Sequence, residues 1–182
     1  MFFYFNLGFK HVIPLGLDHI LFLLSLYFLN SSLKSVLIQC SVFTIAHTLS
    51  IGLSVAGYIT PKSSIVEPLI AISILYSAIE NIFHGRNNPF RMSIVFIFGI
   101  IHGMGFALAL MEKGISSTNF LGALFSFNIG VEIGQVVILL LAHFLVGKWF
   151  SGEQWYRERI VYPVSSIISI IAIYWTFERI IL

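Results

Sequence analysis

Charged side chains are scarce in this chain. Only 10% of its 182 residues are Asp, Glu, Lys or Arg, whereas soluble domains carry about 25%. The net charge of +2 is too small for the strongly basic surface of a nucleic-acid-binding protein, so we expect no nucleic-acid partner. The single cysteine, Cys40, excludes an intramolecular disulfide. Aspartate also occurs only once, as Asp18, directly before His19 in a long apolar run.

Hydrophobic residues make up 58% of the sequence and form long runs between short polar breaks. A helix needs about 20 mostly apolar residues to cross the hydrocarbon core of a bilayer. We therefore predict an all-α, polytopic membrane protein, with a single transmembrane domain over residues 1–182 and the lipid bilayer as its partner. The bundle has about six predicted transmembrane helices, over residues 14–30, 34–58, 64–83, 92–112, 119–147 and 161–180.

The basic residues of the loops indicate the orientation of a membrane protein, because they are enriched on the cytoplasmic side. One side of the predicted bundle carries Lys34, Arg86, Arg91, Lys148, Arg157 and Arg159; the other carries Lys10, Lys62, Lys113 and Arg179. We expect an inner (cytoplasmic) membrane protein with both termini outside the cytoplasm. Phe2 to Phe5 resemble an aromatic anchor at the headgroup level rather than a signal peptide. The sequence leaves open whether the chain forms a homo-oligomer.

Four acidic side chains lie inside the predicted helices or within a turn or two of their ends. They are Asp18, Glu67, Glu80 and Glu132. Carboxylates at membrane depth are costly and normally pair with another group. No lysine or arginine lies within a predicted helix core, whereas His19, His47 and His102 do. We therefore expect the missing positive charge to be a bound cation or a proton.

Spacings of three and four residues place polar side chains on one face of two predicted helices. They are Thr44, His47 and Thr48 in the second helix and Asn128, Glu132 and Gln135 in the fifth. At ~1.5 Å per residue, Asp18 lies roughly 5 Å below the proposed outer end of its helix, and His47 and His102 lie about 15 Å below theirs. Helices that run in alternating directions would therefore bring acids and imidazoles to one zone.

Imidazole together with carboxylate suits divalent nickel, zinc, copper or iron, whereas calcium and magnesium prefer oxygen ligands. We predict one intramembrane metal site with the ligands Asp18, His19, His47, His102, Glu132, Glu67 and His11. His11 precedes Pro14 and could instead cap the helix or face the surface. Hydrogen bonds from Asn128, Thr44 and Gln135 would support the ligands.

Small residues recur every four positions in the fourth and fifth predicted helices. They are Gly99, Gly103 and Ala107, and then Gly130 and Gly134. Such ridges let membrane helices approach closely. We expect these two helices to touch near His102 and Glu132.

Five ordered segments resemble the signatures of the HupE/UreJ family of small membrane proteins. They are GFKHVIPLGLDHILFLL, FTIAHTLSIGL, VEPLIAISILYSAIEN, FGIIHGMGFA and FNIGVEIGQ. The resemblance implies a polytopic inner-membrane protein that is associated with hydrogenase and urease systems and regarded as a nickel permease. It makes nickel the first choice of metal, with zinc, copper or iron as alternatives. The matching positions are His11, Asp18, His19, His47, Glu67, His102, Asn128 and Glu132.

Two functions fit these residues. A permease would pass the ion inward from the acids and imidazoles past Glu132. A zinc-type, metal-dependent intramembrane hydrolase would act on a lipid or peptide, with Glu67 or Glu132 as the general base. A third interpretation treats the histidines as axial haem ligands. His84 and His143 fit interhelical hydrogen bonding better than metal binding.

Overall fold

A computed structural model of the chain describes residues 1–29, 32–83, 88–112 and 120–181, which are almost entirely helical and contain no strand. The predicted connections at residues 30–31, 84–87 and 113–119, and His84 with them, lie outside the described residues. The helices are α1 (Phe2–Val12), α2 (Leu17–Leu29), α3 (Leu33–Val55), α4 (Ser63–Phe83), α5 (Arg91–Glu112), α6 (Phe120–Ala142), α7 (Lys148–Phe150) and α8 (Tyr162–Ile181).

Within the described ranges, five helical stretches are long and apolar enough to cross a membrane. They are Leu33–Val55, Ser63–Phe83, Arg91–Leu110, Phe120–Phe150 and Arg157–Ile181. α1 and α2 are bent by 64° at a short break and together would make a sixth span. The prediction of an all-α bundle of about six transmembrane helices is confirmed. The first predicted helix, residues 14–30, corresponds to α2 alone, and α1 was not predicted.

Short π-helical segments extend two of the membrane-crossing stretches. His143–Gly147 forms a π-helical turn that joins α6 to α7, and Arg157–Val161 forms one that leads into α8. The Tyr27 hydroxyl packs against Gly147 and lies 3.1 Å from His143 Nδ1. His143 is therefore an interhelical hydrogen-bond partner, as expected.

The aromatic N-terminal segment folds as α1 and packs along α6. The Ser126 hydroxyl donates to the Met1 carbonyl at 2.9 Å, and a Cβ at Gly130 would overlap the carbonyl of Phe5. Gly134 lies against Val12, so α1 and α6 run in the same direction. Phe2 stays exposed. The glycines of α6 therefore make room for the backbone of α1.

Gly99 and Gly103 of α5 pack on α3. A Cβ at Gly99 would meet the backbone of Phe43, and one at Gly103 would overlap the carbonyl oxygen of His47. The two glycine ridges do not face each other, because α1 occupies the α6 ridge and α3 occupies the α5 ridge. α5 and α6 nevertheless touch, through the stacked rings of Phe106 and Phe127, whose centroids are 4.4 Å apart. The sequence pattern does not mark α1 as a separate helix, so its place on α6 could not be foreseen.

Both ends of the bundle carry polar side chains, and we name them by position. The end at which α3 finishes, α4 begins and α8 finishes is the cavity end. The opposite end, where α2 and α4 finish and α5 begins, is the paired end.

Candidate metal centre

The break between α1 and α2 lies at mid-height of the bundle, because Val12 contacts Gly134 near the middle of the Phe120–Phe150 stretch. Pro14 lacks a backbone N–H and therefore favours an interruption of the helix here. Gly16 lies so close to the His11 carbonyl that a Cβ would overlap the oxygen. The break therefore places His11 in the last turn of α1 and His19 in the first turn of α2.

Three histidines from three helices converge at this break. The candidate ligand atoms of His11, His19 and His47 all lie within 4.8 Å of one another. The ring centroids are 4.7 Å apart for His11 and His19 and 5.6 Å apart for His19 and His47. Three imidazole nitrogens at ~2.1 Å from one ion would lie roughly 3 to 3.5 Å apart, so the triad would have to contract by an ångström or more to bind it.

Four of the six imidazole nitrogens of this histidine triad are buried without hydrogen bonds to the part of the chain that the structure describes. Among the described residues, no partner is found for His11 Nε2, His19 Nε2 or either ring nitrogen of His47. A buried polar atom normally has a hydrogen-bond partner, because its desolvation is otherwise uncompensated. Neutral imidazole nitrogens are also common metal ligands. A bound divalent ion would therefore satisfy one nitrogen of each of the three rings.

His102 adds a fourth imidazole beside the triad. Its ring centroid is 5.3 Å from that of His19. Its Nδ1 lies 2.8 Å from the Phe98 carbonyl, which can only accept, so Nδ1 carries the proton. Nε2 therefore carries the free lone pair, and this atom too is buried without a partner among the described residues. Such a backbone contact is a common way to orient a metal-binding histidine.

Aromatic rings enclose the imidazoles. The His11 ring centroid is 4.1 Å from that of Phe106, and the His102 ring centroid is 5.4 Å from that of Phe22 and 5.1 Å from that of Phe43. An apolar shell keeps water from the buried side of a metal site and fixes the ligand orientation. Access to the imidazoles is therefore restricted to the remaining open side.

That open side is a cavity of about 410 Å³ at the cavity end. His11, His19 and His102 line its base, while the exposed residues Leu15 and Glu67 lie at its mouth. Six waters at ~30 Å³ each occupy roughly 180 Å³, so a hydrated ion fits. The geometry allows an ion to exchange its waters for imidazole nitrogens.

The expectation that the buried acids have no basic partner is wrong for two of them. Arg179 Nη2 donates to Asp18 Oδ1 at 2.9 Å, and Arg91 Nη1 donates to Glu80 Oε2 at 2.8 Å. Both arginines lie at helix ends rather than in the helix cores. Their long side chains reach back into the bundle. Asp18 nevertheless lines the cavity next to the triad.

The other two predicted acidic ligands make separate contacts. Glu67 is exposed at the cavity mouth, and its carboxylate accepts a hydrogen bond from Ser63. Glu132 accepts a hydrogen bond from the Ser41 hydroxyl at 2.9 Å, and its second oxygen is buried without a partner among the described residues. The group in the described chain that could share one ion contains histidines only.

The predicted supporting residues lie between α3 and α6. Gln135 Oε1 accepts hydrogen bonds from the Thr44 hydroxyl at 2.9 Å and the Cys40 thiol at 2.8 Å. Asn128 Nδ2 donates to the Leu124 carbonyl at 2.7 Å. The bonds to Gln135 join the two helices, whereas the Asn128 bond stays within α6, and none of the three reaches the imidazoles.

Two residues at the site were not predicted. Arg179 is in the last helix, which carries no signature, and nothing in the local sequence pairs it with Asp18. Phe106 follows Gly103 in an apolar run, where only the fold shows that its ring covers His11. Contacts between such distant segments leave no local pattern.

The comparisons with known proteins agree with the segment resemblance. A search of curated proteins and a search of solved structures find no match. The model of the family described as HupE / UreJ protein matches residues 1–179. The match covers nearly the whole chain, from α1 to the last turn of α8. This multi-pass membrane protein therefore belongs to the HupE/UreJ family.

Proposed function

We propose that the protein is a membrane permease for a divalent transition metal ion, with nickel as its first substrate. One observation carries the proposal: His11 and His19, on the two sides of a helix break at the base of a cavity, converge with the buried His47, and each ring has a nitrogen without a partner among the described residues. The triad is the binding site, His102 is a fourth candidate ligand and Asp18 supplies negative charge beside it.

The donor set supports a transition metal over calcium or magnesium. Imidazole binds nickel, zinc, copper and iron well, whereas calcium and magnesium require oxygen ligands. Membership of the HupE/UreJ family favours nickel within this group. Zinc, copper and iron remain outcomes of the same binding experiment.

The broken helix supports transport rather than static binding. Transporters commonly bind substrate near the bilayer midplane, at the ends of discontinuous helices. At the paired end, Arg91 donates to Glu80 at 2.8 Å and to Gln39 at 2.6 Å. The site is therefore open toward one end and closed toward the other by buried polar contacts.

The distribution of basic residues supports an orientation in the inner membrane in which the cavity faces away from the cytoplasm. Lys10 and Arg179 line the cavity and so do not count as loop charges. Lys62 remains at the cavity end. At the paired end, without the buried Arg91, the basic residues of the described segments are Lys34, Lys148, Arg157 and Arg159. By the positive-inside rule, this distribution supports the proposal that both termini lie outside the cytoplasm.

The proposal is tested by metal uptake into proteoliposomes that contain the purified chain. Wild type should load the vesicle interior with Ni²⁺, and His47→Ala should abolish the uptake. His143→Gln is the matched control, because His143 is bonded to Tyr27 and lies outside the triad. It should transport like wild type.

Binding of Ni²⁺ without uptake, together with cleavage of an added lipid or peptide, would instead support a metal-dependent hydrolase. Glu67 and Glu132, the bases that such an enzyme would use, bond to Ser63 and Ser41 rather than to the imidazoles. Absence of binding for nickel, zinc, copper and iron would refute both functions.

A further inference from the structure

We propose that Arg179 competes with the transported cation for the Asp18 carboxylate and moves to Glu67 when a divalent ion binds. The inference rests on the proposed metal-binding function and adds a residue that sets its selectivity. Only an ion that stabilises Asp18 better than the guanidinium can displace it, which favours divalent over monovalent cations.

The geometry places the guanidinium where a cation would need the carboxylate. Arg179 Nη2 lies 2.9 Å from Asp18 Oδ1, and Nη1 lies 3.2 Å from the Glu67 carbonyl. The side chains of Arg179 and Asp18 are 18% and 29% exposed, so solvent screens the pair only in part. Asp18 is adjacent to His19 in α2. The Asp18 carboxylate therefore pairs with Arg179 and also lies on the path by which a cation would reach the triad.

Charge balance forces a choice between the two cations. The triad contributes imidazoles without a compensating negative charge, so a divalent ion beside Asp18 and Arg179 would leave two net positive charges in a partly buried cavity. Like charges at short distance repel strongly where water is excluded. Departure of the guanidinium relieves this repulsion.

A second cavity provides a destination for the guanidinium. It has a volume of about 640 Å³ and lies beside Ser63, Glu67 and Glu178 at the same end. Glu67 and Arg179 line both cavities. The Glu67 carboxylate now accepts only the Ser63 hydroxyl bond among the described contacts. Arg179 can therefore exchange one carboxylate for another through side-chain rotation.

Trp175, one helical turn before Arg179, is a built-in reporter of this movement. The guanidinium carbon of Arg179 lies 5.2 Å from the centroid of the Trp175 ring. A cation over an indole ring changes its environment. Displacement of Arg179 should therefore change the Trp175 fluorescence.

The first test is titration calorimetry of Ni²⁺ with the purified full chain. Arg179→Gln should bind Ni²⁺ about tenfold more tightly than wild type, because a nearby charge typically changes ionic equilibria by one to three powers of ten. Arg179→Lys should fall between the two. Lys62→Gln removes a positive charge from the same end without touching either cavity and should bind like wild type. Equal or weaker binding by Arg179→Gln overturns the inference.

The second test needs no change at Arg179, so it holds even where a variant fails to fold. Zn²⁺, which does not quench tryptophan, should change the fluorescence of the wild type and leave Trp175→Phe unaffected. Metal binding without a Trp175 signal overturns the displacement but leaves the proposed function intact. Absence of binding by wild type and every variant overturns both.

Discussion

The two ends of the bundle differ in how their buried ionisable side chains are partnered, although Arg91 Nη2 at the paired end also has no hydrogen-bond partner among the described residues. At the paired end, Glu80 accepts hydrogen bonds from Arg91 at 2.8 Å and from Asn88 at 2.7 Å. Near the cavity end, the ring nitrogens of His47 have no partner among the described residues, although the side chain is fully buried. Glu80 and His47 are therefore both buried, but only Glu80 has hydrogen-bond partners among the described residues.

This difference separates structural polarity from functional polarity. A charge that is buried with its partner holds helices in register and has little capacity left for a ligand. Buried donor atoms without partners are expensive and persist where a ligand satisfies them. The comparison predicts that the paired end controls stability and the histidine triad controls metal binding.

The largest expected effect is at the paired end. Glu80→Ala leaves Arg91 buried without its carboxylate, so we expect a loss of about 3 to 5 kcal/mol in the free energy of unfolding. Denaturant unfolding of the purified protein in detergent measures this. Glu153→Ala, an exposed acid at the same end, is the control. A loss below about 1 kcal/mol would remove the distinction between the two ends.

At the triad, His47→Ala should weaken Ni²⁺ binding by at least about 100-fold, because it removes a ligand rather than a supporting group. Its loss of stability without metal should be smaller than that of Glu80→Ala, since no hydrogen bond is broken. Calorimetric titration beside the same unfolding measurement gives both values. Comparable metal affinity in His47→Ala and wild type would contradict the assignment.

The close contact between α3 and α5 should link the two properties. A Cβ at Gly103 would overlap the His47 carbonyl, so Gly103→Ala should cost about 1 to 3 kcal/mol in stability and weaken Ni²⁺ binding. Gly152→Ala is the matched control, because nothing lies within 4 Å of its Cβ position. Unfolding and titration again serve as measurements. An unchanged affinity in a destabilised Gly103→Ala would show that the triad does not depend on this contact.

The smallest expected effect on stability is that of Asp18→Asn. Its ion pair with Arg179 is partly exposed, so its removal should cost about 1 kcal/mol or less. The same denaturant series measures this. A loss as large as that of Glu80→Ala would show that Asp18 belongs with the paired end rather than with the cavity.

The sequence predicted the helical bundle and the burial of His19, His47 and His102, because apolar runs and helical spacing are local patterns. It placed His102 at a depth similar to that of His47, and the structure brings both rings close to His19. These features depend on position within one helix and on alternating helix direction.

The sequence did not predict the partners of the acids. Asp18 and Arg179 are at opposite ends of the chain, and Glu80 meets Arg91 across a helix connection. α1 was also missed, because eleven residues are too few for a span and only its packing on α6 brings His11 to the triad. Such contacts follow from helix packing, which a single sequence specifies only indirectly.

The most direct test of the account is X-ray absorption spectroscopy of the purified chain loaded with Ni²⁺. The account predicts a first coordination shell of nitrogen and oxygen with the multiple-scattering pattern of at least three imidazoles, reduced in His19→Ala. A shell of oxygen alone, or a spectrum that His19→Ala leaves unchanged, would contradict it.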